Sequence, residues 1–249
     1  MLKIPKDMIQ GTVHETRFCG SLEVLKYSGA HIVTVRFKST STIKTVGAQQ
    51  IRSGKVKDHN LPTLKGVGLI GIGKYSAIKN KKYHSLWRGV MERGLSESFK
   101  SKNPTYKDCT VTPEWHNFQN FAKWCEENYP NDIGNWEIDK DVLNVGSKIY
   151  SPDTCLFLPH WINSFTINCN LSRGDFPVGV SFDKATGMFR AKCSNDGRTV
   201  SIGRFSTPEE AHLAWRKYKL QLALNKKTEM DAIDLRIYPN IVQIITEAR

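Results

Sequence analysis

The chain has 249 residues, 39% of them hydrophobic and 24% charged, with a formal net charge of +12. Such a chain can bury a sizeable core in about one to three domains, and its composition is that of a soluble globular protein rather than a disordered or fibrous one. No run approaches the roughly 18 apolar residues of a membrane span, and the first ten residues, MLKIPKDMIQ, lack the apolar centre of a secretory signal, so no membrane partner and a cytoplasmic location are expected.

The six cysteines, Cys19, Cys109, Cys125, Cys155, Cys169 and Cys193, contain no CxxC pair. That spacing argues against a structural zinc cluster and for buried thiols in a reducing compartment. The charge is uneven: residues 1–75 carry +8, residues 76–107 carry +6, residues 108–165 carry −6, residues 166–225 carry +4, and residues 226–249 balance. Basic flanks around an acidic centre suit a protein that grips a polyanion and presents a cation-binding site to it.

In chain order, Leu22–Leu25, His31–Phe37 and Thr42–Val46 alternate apolar and polar residues between short turns, which predicts strands of a small β-barrel over residues 1–62. Arg52, Lys55 and Lys57 would line one edge of it as phosphate contacts. Residues 63–82 read as a linker. Its GVGLIGIGK lacks the Lys-Ser/Thr of a phosphate-binding P-loop and no βαβ unit follows, so nucleotide binding there is not expected. A helix is predicted over Tyr83–Ser96. A second starts at Thr112-Pro113-Glu114, with Trp115, Phe118, Phe121, Ala122 and Cys125 as its apolar stripe.

The stretch Trp136–Asn163 places Asp139 and Asp141 on a short apolar segment, then a turn region, then a second apolar segment, Cys155–Pro159, closed by His160 and Asn163. Strand alternation puts Asp139 and Asp141 on one face, and helical spacing puts His160 and Asn163 on another. Carboxylates, an imidazole and an amide so gathered suit a hard divalent cation. Further on, Gly179–Phe182, Met188–Cys193 and Thr199–Phe205 are three short strands joined by Lys184–Gly187 and Asn195-Asp196-Gly197. Thr207-Pro208-Glu209-Glu210 is a capping box that opens a helix to about Ala223. Ile237, Ile241, Val242, Ile244 and Ile245 recur at helical spacing in the tail.

Three of these segments resemble known modules. The front strands and IRSGKVKD (Ile51–Asp58) resemble an SH3-like barrel of phage proteins. GVSFDKATGMFRAKCSNDGRTVSIGRFSTPEEAHLAWRKYK resembles the AP2 DNA-binding domain over about 45 residues, in which a three-stranded sheet enters the major groove. That likeness implies Arg190, Lys192, Arg198 and Arg204 as DNA contacts. Residues 83–163, above all YSPDTC and LPHWIN, are similar to the HNH endonucleases of phages, which have a ββα-metal fold. The likeness implies Asp139 as the strand metal ligand and Asn163 as the helix ligand; Asp141 is either a second metal ligand, as strand alternation favours, or a residue that faces the turn.

In that family a His, the general base, follows the strand Asp; here the residue is Lys140. A lysine, with an ordinary pKa of about 10.4, is a poor base at neutral pH and a reasonable phosphate clamp. His160 would then serve as base or as ligand, with His84 a more remote candidate. Thr154 stands where an Asn often pins the hairpin.

The resulting expectation is an α+β multidomain chain: a barrel over residues 1–62, a linker over 63–82, an HNH-like ββα-metal unit over 83–170, and an AP2-like unit with a helical tail over 171–249. Its expected activity is Mg²⁺- or Mn²⁺-dependent cleavage of double-stranded DNA by a monomer, in the cytoplasm of an infected bacterial host. The alternative is a DNA-binding regulator or blocker that kept the nuclease fold and lost catalysis.

Overall fold

The computed structural model describes residues 3–130, 134–144, 146–165, 175–195 and 197–248. The chain is a mixed α+β protein with several small sheets. It divides into two compact units, Met1–Glu126 and Glu127–Arg249.

The first unit begins with an antiparallel meander of β1 (Val13–Glu15), β2 (Ser21–Tyr27), β3 (Val33–Phe37) and β4 (Ile43–Val46), in that spatial order. Alternation buries Leu22 and Val24 of β2 and Val33, Val35 and Phe37 of β3 on one face. The short helix α1 (Ala48–Arg52) adds Ile51 to that core. Among the described residues the sheet is open, not the closed barrel expected: β1 and β4 are edges, paired only with β2 and β3 respectively.

Helix α2 (Lys81–Leu95) buries Trp87, Val90 and Met91, and α3 (Glu97–Lys102) follows it. After the two-residue strand β5 (Thr110–Val111), the helix expected from Thr112 splits into a 3₁₀ turn, Pro113–His116, and α4 (Phe118–Asn128). Asn117 is extended, because the chain on either side of it bonds to Leu69: the Leu69 N–H donates to the His116 carbonyl, and the Phe118 N–H donates to the Leu69 carbonyl, each at 2.9 Å. The glycine run serves this contact. Gly71 has φ +71°, and a Cβ there would overlap the Asn117 carboxamide. Gln119 completes the tie, its Nε2 donating to the Ile70 and Tyr75 carbonyls at 2.9 Å.

In the second unit, β6 (Trp136–Asp139) is followed by the two-residue β7 (Ile149–Tyr150) and by β8 (Leu156–Pro159), which pairs antiparallel with β6. Helix α5 (His160–Phe165) starts directly at the end of β8. Next comes a three-stranded antiparallel sheet, β9 (Val180–Asp183), β10 (Met188–Asn195) and β11 (Arg198–Phe205), with β10 in the centre. Helix α6 (Pro208–Asn225) opens with the expected capping box: Thr207 Oγ1 accepts from the Glu210 N–H at 3.2 Å, and Glu210 Oε2 accepts from the Thr207 N–H at 3.3 Å. The tail forms α7 (Lys227–Asp231) and α8 (Ile237–Glu247). Leu158 and Ile162 of the hairpin and α5, Trp215 of α6, and Ile237, Ile241 and Ile245 of α8 share one core. Cys19, Cys109, Cys125, Cys155 and Cys193 are buried free thiols, while Cys169 lies outside the described residues.

Candidate functional site: the β6–β8–α5 hairpin and the outer face of the three-stranded sheet

The pairing Trp136↔Pro159, Glu137↔Leu158, Asp139↔Leu156 sets the hairpin register. It brings Glu137 of β6 beside the first turn of α5. His160 Nδ1 lies 2.9 Å from Glu137 Oε1, and Asn163 Nδ2 donates to Glu137 Oε2 at 2.6 Å. His160 and Asn163 thus share a face as their spacing predicts, and the residue they share is Glu137. Sequence reasoning passes over Glu137, although strand alternation sets it on the face of Asp139. His160 is three-quarters exposed, its side chain at 74%.

Asp139 has a different set of contacts. Strand β6 ends at Asp139, whose Oδ1 accepts from the backbone N–H groups of Asp141 at 2.9 Å and Val142 at 2.8 Å. Asp141 therefore lies in the bend after the strand, and the alternation expected to align it with Asp139 does not extend that far. Burial raises the Asp139 carboxyl above the ordinary aspartate value; the bond from the Val142 N–H works against that rise.

Lys140 is not poised as a phosphate clamp. It is buried, its side chain only 5% exposed, and its ammonium donates to Asp141 Oδ1 at 2.6 Å and to the Ser147 carbonyl at 2.7 Å. Lys140 spans this loop to Ser147, and Asn240 holds the chain between them: Asn240 Nδ2 donates to the Val142 and Leu143 carbonyls at 2.8 and 3.0 Å. Thr154 pins the turn before β8, its Oγ1 donating to the Ile149 carbonyl at 2.7 Å and accepting from the Ser151 N–H at 3.1 Å. Among the described residues no group of three or more His, Cys, Asp and Glu forms a ready metal cage. His84 belongs to the first unit, where its ring packs on Trp87 and Phe118 and burial lowers its pKa.

The second candidate surface is the sheet face turned away from α6. Val180, Ala191 and Ala211 pack between sheet and helix. The register Arg190↔Arg204 and Lys192↔Ser201 puts Arg190, Lys192 and Arg204 on the opposite face, since directly opposed residues share a face. Arg198 pairs with Asn195 at the hairpin tip, and alternation places it on the other side. Asp183 anchors the outer face. It takes a short ion pair from the Arg190 guanidinium, whose Nε donates to Asp183 Oδ2 at 2.7 Å, and Arg204 Nε stands 3.6 Å away. The Arg190 bond, foremost, holds the Asp183 carboxyl below the usual range.

In the first unit Arg52 is already engaged: its Nε and Nη2 grip the two oxygens of Asp7 at 2.6 and 3.0 Å. Lys55 and Lys57 are exposed.

No family model matches the chain, and no curated protein or solved structure is significantly similar to it. Among the described residues no helix is long and apolar enough to cross a membrane.

Proposed function

We propose that this chain is a duplex-DNA-binding protein that meets the major groove with the outer face of β9–β11. The observation that carries this reading is the cross-strand set Arg190, Lys192 and Arg204 on one exposed face, with Arg190 held in a fixed pose by Asp183. A guanidinium fixed in advance loses less side-chain freedom when it meets a phosphate or a guanine edge. The resemblance to the AP2 domain points the same way, as do the basic flanks, which supply sequence-independent attraction to phosphates. Arg198 at the hairpin tip and Lys55 and Lys57 of the first unit would add backbone contacts.

A second reading, phosphodiester hydrolysis, is favoured by the Glu137–His160–Asn163 cluster. A carboxylate bonded to Nδ1 fixes the histidine tautomer with the proton on that nitrogen and leaves Nε2 as the basic atom. His160 so held is the general base that the likeness to HNH endonucleases requires and that Lys140 cannot supply. The carboxylates of Glu137 and Asp139 and the Asn163 amide are donors of the kind that suit Mg²⁺ or Mn²⁺. Such an ion, when bound, polarises the scissile phosphate and stabilises the leaving oxygen. His160 would take the proton of the attacking water, and Glu137 would balance the imidazolium formed.

Selection of preferred duplex sites, followed by titration of wild type and Arg190→Ala/Lys192→Ala, tests the first reading. Loss of at least tenfold in affinity is expected; equal binding by the variant would remove the sheet as the reading surface. Incubating selected sites with Mg²⁺, Mn²⁺ or EDTA, beside His160→Ala and Asn163→Ala, tests the second. Metal-dependent cutting lost in both variants is the expected result, and binding without cutting leaves the regulator or blocker.

A further inference from the structure

A cavity of about 600 Å³ in the second unit is lined by Trp161, Phe165, Ser194, Asn195, Lys219 and Asn225. His160 also lines it. Its most telling wall residue is Lys219. This lysine on α6 is only 8% exposed, yet among the described residues its ammonium makes no ion pair and no hydrogen bond. It rests over the Phe165 ring, 3.6 Å from the centroid. The Lys219 stem is buried and its ammonium lines the cavity, and a cation so placed with no anion among the described residues offers a partner to an anionic ligand. A second lysine, Lys226, stands over the Trp161 ring at 5.4 Å but is already bonded to Glu229 at 2.9 Å.

The walls thus combine one cation that has no ion pair among the described residues, two aromatic rings and two carboxamides. We propose that this cavity binds a nucleoside 5′-phosphate unit. The phosphate meets Lys219, the planar base lies against the aromatic walls, and the carboxamides of Asn195 and Asn225 face the base edge. The volume falls within the roughly 300–1,000 Å³ of small-ligand pockets. The unit could come from a free mononucleotide or from a nucleotide unstacked out of DNA, and the latter source rests on the DNA-binding reading above.

The full-length protein is titrated with dAMP, with deoxyadenosine and with inorganic phosphate, following tryptophan fluorescence and heat. Binding of dAMP at least tenfold tighter than either fragment is expected. Equal binding of phosphate and dAMP, or of deoxyadenosine and dAMP, overturns the proposal, and neither comparison needs a variant. Lys219→Met should weaken dAMP binding at least tenfold and leave the melting temperature equal or higher, because it puts an apolar side chain in place of a charged one that is almost wholly buried. A lower melting temperature with unchanged dAMP binding would show a structural lysine instead. A duplex carrying one unpaired 2-aminopurine separates the sources: fluorescence that rises on binding wild type but not Lys219→Met indicates an unstacked nucleotide, and no rise indicates the free mononucleotide. If dAMP binds while duplex DNA does not, the cavity stands and the DNA-binding reading falls.

Discussion

Glu137 and His160 meet across 23 residues of chain, Oε1 to Nδ1 at 2.9 Å, because β6 and β8 pair in a register that ends where α5 begins. The contact converts an exposed histidine into one with a defined tautomer. It also supplies a partner for the imidazolium that forms when the ring takes a proton.

Glu137→Gln is the first test of that relationship. Both side chains are substantially exposed, so the fold should lose no more than about 1 kcal/mol. Any metal-dependent cutting should drop by roughly 10²–10⁴-fold, the usual scale of general-base assistance. Cutting and urea unfolding are measured on the same preparations. A variant that cuts like wild type would show the pair to be ornamental.

Lys140 presents the opposite case, a charged residue held by the fold. Replacing it with Ala removes the bonds to Asp141 and to the Ser147 carbonyl. Because Asp141 is half exposed, we expect a loss of about 2 kcal/mol rather than the full cost of a buried pair. Lys140→Met keeps the aliphatic stem and should lose less. DNA affinity should be unchanged in both, which a titration of selected duplexes checks.

Asp139 gives a pH dependence of defined sign. Burial raises its carboxyl in the folded chain, so the folded state binds that proton more readily than the unfolded state. The charged form therefore weakens the fold above the folded-state value, and the penalty is relieved as pH falls through it. Asp139→Asn keeps an Oδ1 acceptor for the Asp141 and Val142 N–H groups without the charge. It should match or exceed wild-type stability at pH 7, and the difference should shrink as pH falls toward 4. Asp139→Ala loses the acceptor and should cost about 1 kcal/mol at both ends. Urea midpoints across that pH range report all three.

Gly179 tests the sheet that carries the DNA-binding reading. It has φ +81°, and a Cβ there would overlap the Trp215 indole. Gly179→Ala combines left-handed strain with overpacking and should cost about 3 kcal/mol or more. Thermal unfolding measures it.

What the sequence revealed, and what it did not, follows from the range of each interaction. The capping box at Thr207, the turns that bound β10, and the start of α5 after Pro159 all depend on neighbours a few residues apart, and they read directly. Strands β2, β3 and β4 of the front sheet read well too, but β1 and the openness of the sheet did not, since closure depends on whether β1 meets β4. Asn117 was pulled out of its predicted helix by Leu69, a partner 48 residues away. Glu137 depends on strand register, and Lys140 on a loop that folds back to Ser147. Alternation along β6 was the one local signal that could have singled out Glu137.

The central claim is that the outer face of β9–β11 grips duplex DNA. It is tested most directly by the salt dependence of binding to a selected site. Each neutralised phosphate contributes about −0.9 to the slope of log K against log salt. Arg190→Ala/Lys192→Ala/Arg204→Ala should therefore flatten the wild-type slope by about 2–3, and Asp183→Asn, which removes the opposing charge, should steepen it. Parallel slopes for wild type and the triple variant would contradict the account.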